Sequence, residues 1–297
     1  MLHIASKIGR ASTNSGHLWV PLLLISAFFC AMPLQAAPAQ RIITLTPHLT
    51  ELIYAIGAEA RLVATVEFSD EPPAARDLPR IGNYQAIDLE ALISLNPDLI
   101  LAWHSGTPPA LMQQLTRLGL RVEASEPRLL EDISAELRWL GQLTGHQQQA
   151  EAAASAFEAR LAELRTRYQQ ATPLRVFYQI WDQPLMTING QHFIHQALEV
   201  CAGENVFAHL GPLTPRLSRE AVLLANPQVM LSGGMSETTT EWLTAWQDLP
   251  AIEAVAQQQL YFVPPSLVQR PTPRLLDGIE AICDQLALSR QHYGLHP

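Results

Sequence analysis

The chain has 297 residues, 48% hydrophobic and 16% charged, which is enough apolar material for two domains and too much for a disordered chain. Its 28 acids against 19 bases leave a net charge of −9, which argues against a nucleic-acid partner because phosphate contacts by Lys and Arg supply most of that affinity. Lys7 is the only lysine, so Walker-type, Schiff-base and kinase-type lysine chemistry is excluded from everything downstream, and no HExxH, CxxC, GxSxG or GxGxxG motif is present.

Residues 1–36 read as a cleavable export signal. Lys7 and Arg10 form a positive start, an apolar run follows from Leu18 to Met32, and "LQA" offers small residues for cleavage. The run is short for a membrane span and Pro21 interrupts it. An N-terminal anchor is the rival reading. A lipid-anchored Cys30 is disfavoured by the bulky Phe28 and Phe29 before it. Cleavage near Ala36 removes two bases and no acid, leaving 17 bases against 28 acids, a net charge of −11. Cys201 and Cys283 then remain, and two cysteines in an exported chain suggest one disulfide, with two buried free thiols as the alternative.

In chain order, a strand is expected at 41–45, with Thr46 capping a helix at 48–56 that Gly57 stops. A second strand follows at 61–66. "GNYQ" carries Tyr84 ahead of a short helix, with Asp88 as cap and Glu90 in the first turn, where a carboxylate suits the helix dipole. Asn96-Pro97 ends that helix, since proline disfavours helix at the residue before it. "DLILAW" then reads as a buried parallel strand. Another strand is expected at 121–125. Ala150, Ala153, Phe157, Leu161, Leu164 and Tyr168 fall at helical spacing, so 147–170 reads as one amphipathic helix, roughly 36 Å long at 1.5 Å per residue. A coiled-coil partner helix is its rival. Strands at 175–181 and 259–264 flank a second copy of an earlier segment. "EAVLLANPQVML" at 220–231 repeats "EALISLNPDLIL" at 90–101, with five of twelve positions identical and Ser218 in place of the Asp88 cap.

A repeated helix–turn–strand implies two similar α/β lobes. The expected architecture is therefore two Rossmann-like lobes with parallel-rich sheets, joined by one long interlobe helix, with a ligand cleft between them. The boundaries are 1–36 for the signal, 37–145 for the first lobe, 146–172 for the helix and 173–297 for the second lobe. Ligands in such lobes bind beyond the carboxyl ends of the strands.

Those ends carry aromatic and long side chains: Phe68 after the second strand, Tyr84, Trp103, then Trp181 with Met186, and finally Arg270. They suit a large, flat, partly apolar ligand better than an amino acid or sugar acid. The competing reading is ordinary strand-end core. His104, His192 and His195 make no recognisable metal-binding pattern, so neither a metal site nor catalytic residues are assigned. Glu90 and Glu220 occupy equivalent positions, where each helps its helix dipole; symmetric acids also suit docking onto the arginines of a two-fold partner.

The runs "RIITLTPHLTELIYAIGAEARLVATVEFSDEPP" and "IGNYQAIDLEALISLNPDLILAW" resemble periplasmic substrate-binding proteins with a rigid interlobe helix, which serve ABC importers of cobalamin, haem and ferric siderophores. "LEVCAGENVF", "RLSREAVLLANPQVML" and "PTPRLL" resemble the cobalamin binders in particular, and the resemblance spans about 40–290. It implies a monomeric, non-enzymatic periplasmic carrier with no cofactor of its own. Such a carrier brings a corrinoid to an ABC permease dimer in the inner membrane. It also implies a Cys201–Cys283 disulfide, docking through Glu90 and Glu220, and a corrin cleft lined by Phe68, Tyr84 and Trp103, with Trp181, Met186 and Arg270 from the second lobe. The pattern has Tyr and Trp where Phe68 and Tyr84 stand, and Trp where Thr214 stands. Haem or a ferric siderophore is the alternative cargo, with Tyr84 or His104 as candidate haem ligands, and a chelatase-like enzyme is the more distant alternative.

Overall fold

The computed structural model describes Gly9 and residues 37–83, 86–233 and 240–296; the segment read as an export signal, apart from Gly9, and Tyr84 lie outside the described residues. Strand β1 (Ile42–Thr44) leads into helix α1 (Pro47–Ala55), and Pro47 opens the first turn, where its missing N–H costs nothing. Thr46 takes the cap position as expected, but its hydroxyl makes no cap bond. Gly57, at φ +69°, follows the end of α1 as expected. Then come β2 (Leu62–Ala64), α2 (Leu89–Ser94), β3 (Leu99–Trp103), α3 (Pro109–Arg117) and β4 (Val122–Ser125). These strands form one parallel sheet of order β2-β1-β3-β4, with Ile42 opposite both Leu62 and Leu99.

Two long helices follow, α4 (Leu130–Thr144) and α5 (Gln147–Tyr168). The second half then runs β5 (Leu174–Gln179), α6 (Phe193–Val200), β6 (Gly203–Asn205), α7 (Arg219–Ala225), β7 (Val229–Ser232), α8 (Glu241–Thr244), α9 (Glu253–Ala256), β8 (Leu260–Phe262), α10 (Pro265–Val268) and α11 (Leu275–Tyr293). Its sheet, again parallel, has the order β6-β5-β7-β8, the same topology as the first.

The sequence repeat is a structural repeat down to its hydrogen bonds. Asp88 Oδ1 accepts from the Ala91 amide at 2.9 Å and Ser218 Oγ from the Ala221 amide at 3.3 Å, so each caps its helix. Asn96 (φ +45°) and Asn226 (φ +43°) both turn left-handed, a conformation asparagine tolerates, and the following prolines keep them from continuing the helix. Arg41 Nε donates to the Leu95 and Asn96 carbonyls at 3.0 and 3.2 Å, and Arg175 Nη2 donates to the Asn226 carbonyl at 3.1 Å. Asp98 accepts from the Arg41 amide at 2.9 Å and Gln228 Oε1 from the Arg175 amide at 3.1 Å, tying each repeat to the first strand of its sheet.

The apolar core runs across the back of both sheets without a break. Leu52, Leu99 and Leu137 belong to the same buried cluster as Phe157, Leu161, Leu198 and Ile279. Smaller clusters fill the other face of each sheet, around Ile100 and Leu115 in one lobe and Phe177, Met230 and Trp246 in the other. Helix α5 packs on α4, α6 and α11, while α4 packs on α1 and α6. The long helix expected at 147–170 is α5, and α4 packs beside it as the other arm of a hairpin. Arg138 staples it, reaching Glu151 at 2.8 Å and Glu158 at 2.6 Å. Cys201 and Cys283, 82 residues apart, are bonded as a disulfide. No helix among the described residues is long and apolar enough to cross a membrane.

Candidate functional site

Parallel strands send all their carboxyl ends the same way, and in each lobe these ends carry the residues singled out above. Phe68 follows β2, Trp103 ends β3, Trp181 and Met186 follow β5, and Arg270 follows β8 and α10. Gly82 has φ +117°, and a Cβ there would lie 2.1 Å from the Ala86 carbonyl oxygen. Only glycine fits there.

The two sets of strand ends meet through Arg270. From the second lobe its Nη1 donates to Glu51 Oε1 at 2.7 Å and to Asp70 Oδ1 at 2.9 Å, and its Nη2 donates to the Phe68 carbonyl at 3.0 Å. Thr272 and Arg274 donate to Glu51 Oε2 at 3.1 and 3.3 Å. The Glu51 side chain is 4% exposed and that of Arg270 15%. Burial works against the Arg270 charge, but the Glu51 and Asp70 carboxylates outweigh it and hold the guanidinium above its usual range. A buried carboxylate tolerates its desolvation only when it is paired and hydrogen-bonded, and Glu51 has three donors.

Each lobe carries an exposed aromatic ring after one of its strands. Phe68 is 67% exposed and Trp181 40%. The Met186 amide donates to the Trp181 carbonyl and the Ile180 amide to the Met186 carbonyl, at 3.0 Å each, so a short hairpin brings Trp181 and Met186 together. Trp181 also packs edge-on against Trp242, with ring centroids 6.1 Å apart. Thr214 lies next to this hairpin, between Leu213 and Pro215, which accept from the Asn189 and Thr187 amides. Trp103 is half-buried and meets His48 edge-on at 5.4 Å. Gly106 makes room for the Trp103 ring, since a Cβ there would lie 2.1 Å from its Cε3. Thr46 Oγ1, His48 Nε2 and Trp103 Nε1 in one lobe, and Ser232 Oγ in the other, are buried without hydrogen-bond partners. Burial, with the Arg270 charge adding to it, pushes the His48 imidazole down to about 3, so it is neutral at ordinary pH.

Glu90 and Glu220 lie apart from this contact, exposed on α2 and α7. Hydrogen bonds to its own amide and to Ser218 hold the Glu220 carboxyl below its usual range. Of the histidines, His104 is exposed and His192 caps α6 through Nδ1 at 3.1 Å from the Ile194 amide. Among the described residues no group of three or more His, Cys, Asp or Glu is arranged to hold a metal ion.

Sequence reasoning missed Glu51, His48, Asp70 and Trp242. A signal existed for two of them: Glu51 and His48 stand among Leu49, Leu52 and Ile53 on a helix whose residues 48–53 are all buried. A charged or titratable group in so apolar a setting needs a partner from elsewhere.

Two parallel-sheet lobes whose strand ends face each other form the kind of architecture in which a ligand can be held between lobes. The sequence pattern of the family described as "Periplasmic binding protein" matches residues 42–267, and the chain belongs to that family of substrate-binding transport proteins. It is 36% identical over 254 residues to a vitamin B12-binding protein of Vibrio cholerae, covering 86% of this chain and 91% of the relative. A vitamin B12-binding protein of Vibrio vulnificus is also 36% identical, over 262 residues, covering 88% of this chain and 95% of the relative. The crystal structure of the periplasmic vitamin B12-binding protein of Vibrio cholerae superposes with a TM-score of 0.77 over 86% of this chain and 99% of that one. A periplasmic heme-binding protein from Pseudomonas aeruginosa, 26% identical, gives a TM-score of 0.74 over 87% of this chain and 94% of that one.

Proposed function

We propose that the chain captures cobalamin or a related corrinoid in the periplasm and delivers it to an ABC permease dimer in the inner membrane. It acts as a monomer after removal of residues 1–36 and carries out no chemistry and needs no cofactor. The observation that supports this reading is the pair of exposed aromatic rings after strand ends, Phe68 on one lobe and Trp181 on the other, with Arg270 of the second lobe bonded to the Phe68 carbonyl. Apolar rings on both lobes suit a broad flat ligand. In this reading Phe68, Tyr84, Trp103, Trp181 and Met186 line the corrin, with Arg270 at the contact between the lobes. Glu90 and Glu220 dock on permease arginines, each exposed beside an apolar neighbour, Ile93 and Leu224, which are 43% and 85% exposed.

The likeness to a heme-binding protein keeps haem as the second reading. Calorimetric titration with cyanocobalamin and, separately, haem tests both. One-to-one binding of cyanocobalamin alone is expected; binding of haem alone would replace the corrinoid reading with the haem one.

A further inference from the structure

Phe68 does not suit its own backbone. Its φ is +66°, a region glycine and asparagine enter readily and phenylalanine rarely does. Burial of the ring does not compensate, because the residue is 67% exposed. The rest of the turn is held from within the first lobe. The Glu67 amide donates to the Gly82 carbonyl at 2.8 Å, Ser69 Oγ lies 2.8 Å from Thr65 Oγ1, Arg80 Nη2 donates to the Ser69 carbonyl at 2.8 Å, and Arg76 Nε to the Asp70 carbonyl at 3.1 Å. The Phe68 carbonyl and the Asp70 carboxylate are instead gripped by Arg270 from the opposite lobe, at 3.0 and 2.9 Å. Buried Glu51 anchors that arginine at 2.7 Å.

We propose that Arg270 is a positioning residue for ligand binding. It clamps the Phe68–Asp70 turn from the other lobe, keeps the strained backbone in place, and so presents the Phe68 ring to the corrinoid. The inference rests on the corrinoid reading for its ligand, but not for the clamp itself. Arg270 acts through its fork: one nitrogen serves two carboxylates and the other serves a carbonyl. Lysine supplies the same charge to Glu51 as a single point and cannot span the three acceptors.

The test uses the full chain, expressed and purified, as wild type, Arg270→Lys, Phe68→Ala and the double variant. Arg270→Lys keeps a cation opposite buried Glu51 and so preserves the fold; Asp70→Asn, at a 45% exposed side chain, is a second and milder way to loosen the grip. In titrations with cyanocobalamin, Arg270→Lys weakens binding about tenfold in the wild-type background and less than about twofold beside Phe68→Ala, because neighbours that act through one another are not additive. An equal loss in both backgrounds means that Arg270 touches the ligand directly and overturns the proposal. The ligand-free arm is hydrogen exchange. Amides 67–70 exchange at least about fivefold faster in Arg270→Lys and in Asp70→Asn, while those of β5 and β7 are unchanged. Unchanged exchange at 67–70 overturns the clamp. A wild type that ignores cyanocobalamin overturns the corrinoid reading alone, and the exchange arm then decides the clamp.

Discussion

Replacing His48 by phenylalanine should flatten part of the acid lability of this protein. The imidazole is 4% exposed on α1, with Nε2 unpaired, Trp103 against its edge and the Arg270 charge nearby. Burial first, and that charge second, push it from 6.5 down to about 3. The folded state therefore binds the proton less readily than the unfolded chain. Its contribution is fully present above pH 6.5 and is lost as pH falls towards 3. Integrating that difference from pH 7 to pH 5 gives a loss of about 2 kcal/mol. His192, also pushed down by burial, to about 4, contributes in the same direction. Glu136 works the other way: burial raises its carboxyl from 4.5 to about 7, so the fold favours its acid form and gains as pH falls. The wild-type slope is the sum of these, and the variant isolates one of them. Urea unfolding of both proteins at pH 7 and pH 5 is the assay. Phenylalanine keeps an aromatic edge against Trp103, and any repacking offset is the same at both pH values. The drop in stability should be about 2 kcal/mol smaller in His48→Phe than in the wild type. Parallel losses would refute the reasoning and show that His48 meets solvent or a partner when protonated.

Other outcomes are equally specific. Glu90→Ala with Glu220→Ala should abolish corrinoid uptake by cells while leaving affinity for cyanocobalamin unchanged; a collapse of affinity would place these acids in the cleft instead. Serine at both Cys201 and Cys283 should lower stability by about 4 kcal/mol in a urea titration, the chain-entropy value for so long a closed loop, and a loss under about 1 kcal/mol would contradict that account. Gly106→Ala should displace the Trp103 ring, seen as altered tryptophan fluorescence with weakened cyanocobalamin binding; an unaltered spectrum would mean that the turn yields instead.

Much of the architecture was legible because it repeats. Asn96-Pro97 and Asn226-Pro227 are local signals with a local cause, and the caps before them obey the same chemistry. The paired sheets follow from finding that unit twice. β6 was not legible: Gly203-Glu204-Asn205 has no apolar alternation, and it is a strand because β5 offers it a parallel edge. The bridging role of α4 was missed for a similar reason, since its apolar face serves α1, α5 and α6 together. The aromatic positions could be read from their places after strands. The clamp could not, because Arg270 and Glu51 are separated by 219 residues and only the closure of two lobes brings them together. A sequence shows that a buried acid needs a partner; it does not show which arginine arrives.

The unbroken core behind the sheets makes the protein a gauge. Leu137 of α4, Phe157 of α5 and Ile279 of α11 lie in one apolar mass with residues of both lobes, so the lobes have no seam along which to swing widely. A shared core of this kind limits how far the two rims can part, as in a calliper with a short travel. Any partner that engages both rims at once measures that span. Spreading the rims would mean working against that shared core, which the span of a hinge alone would not require.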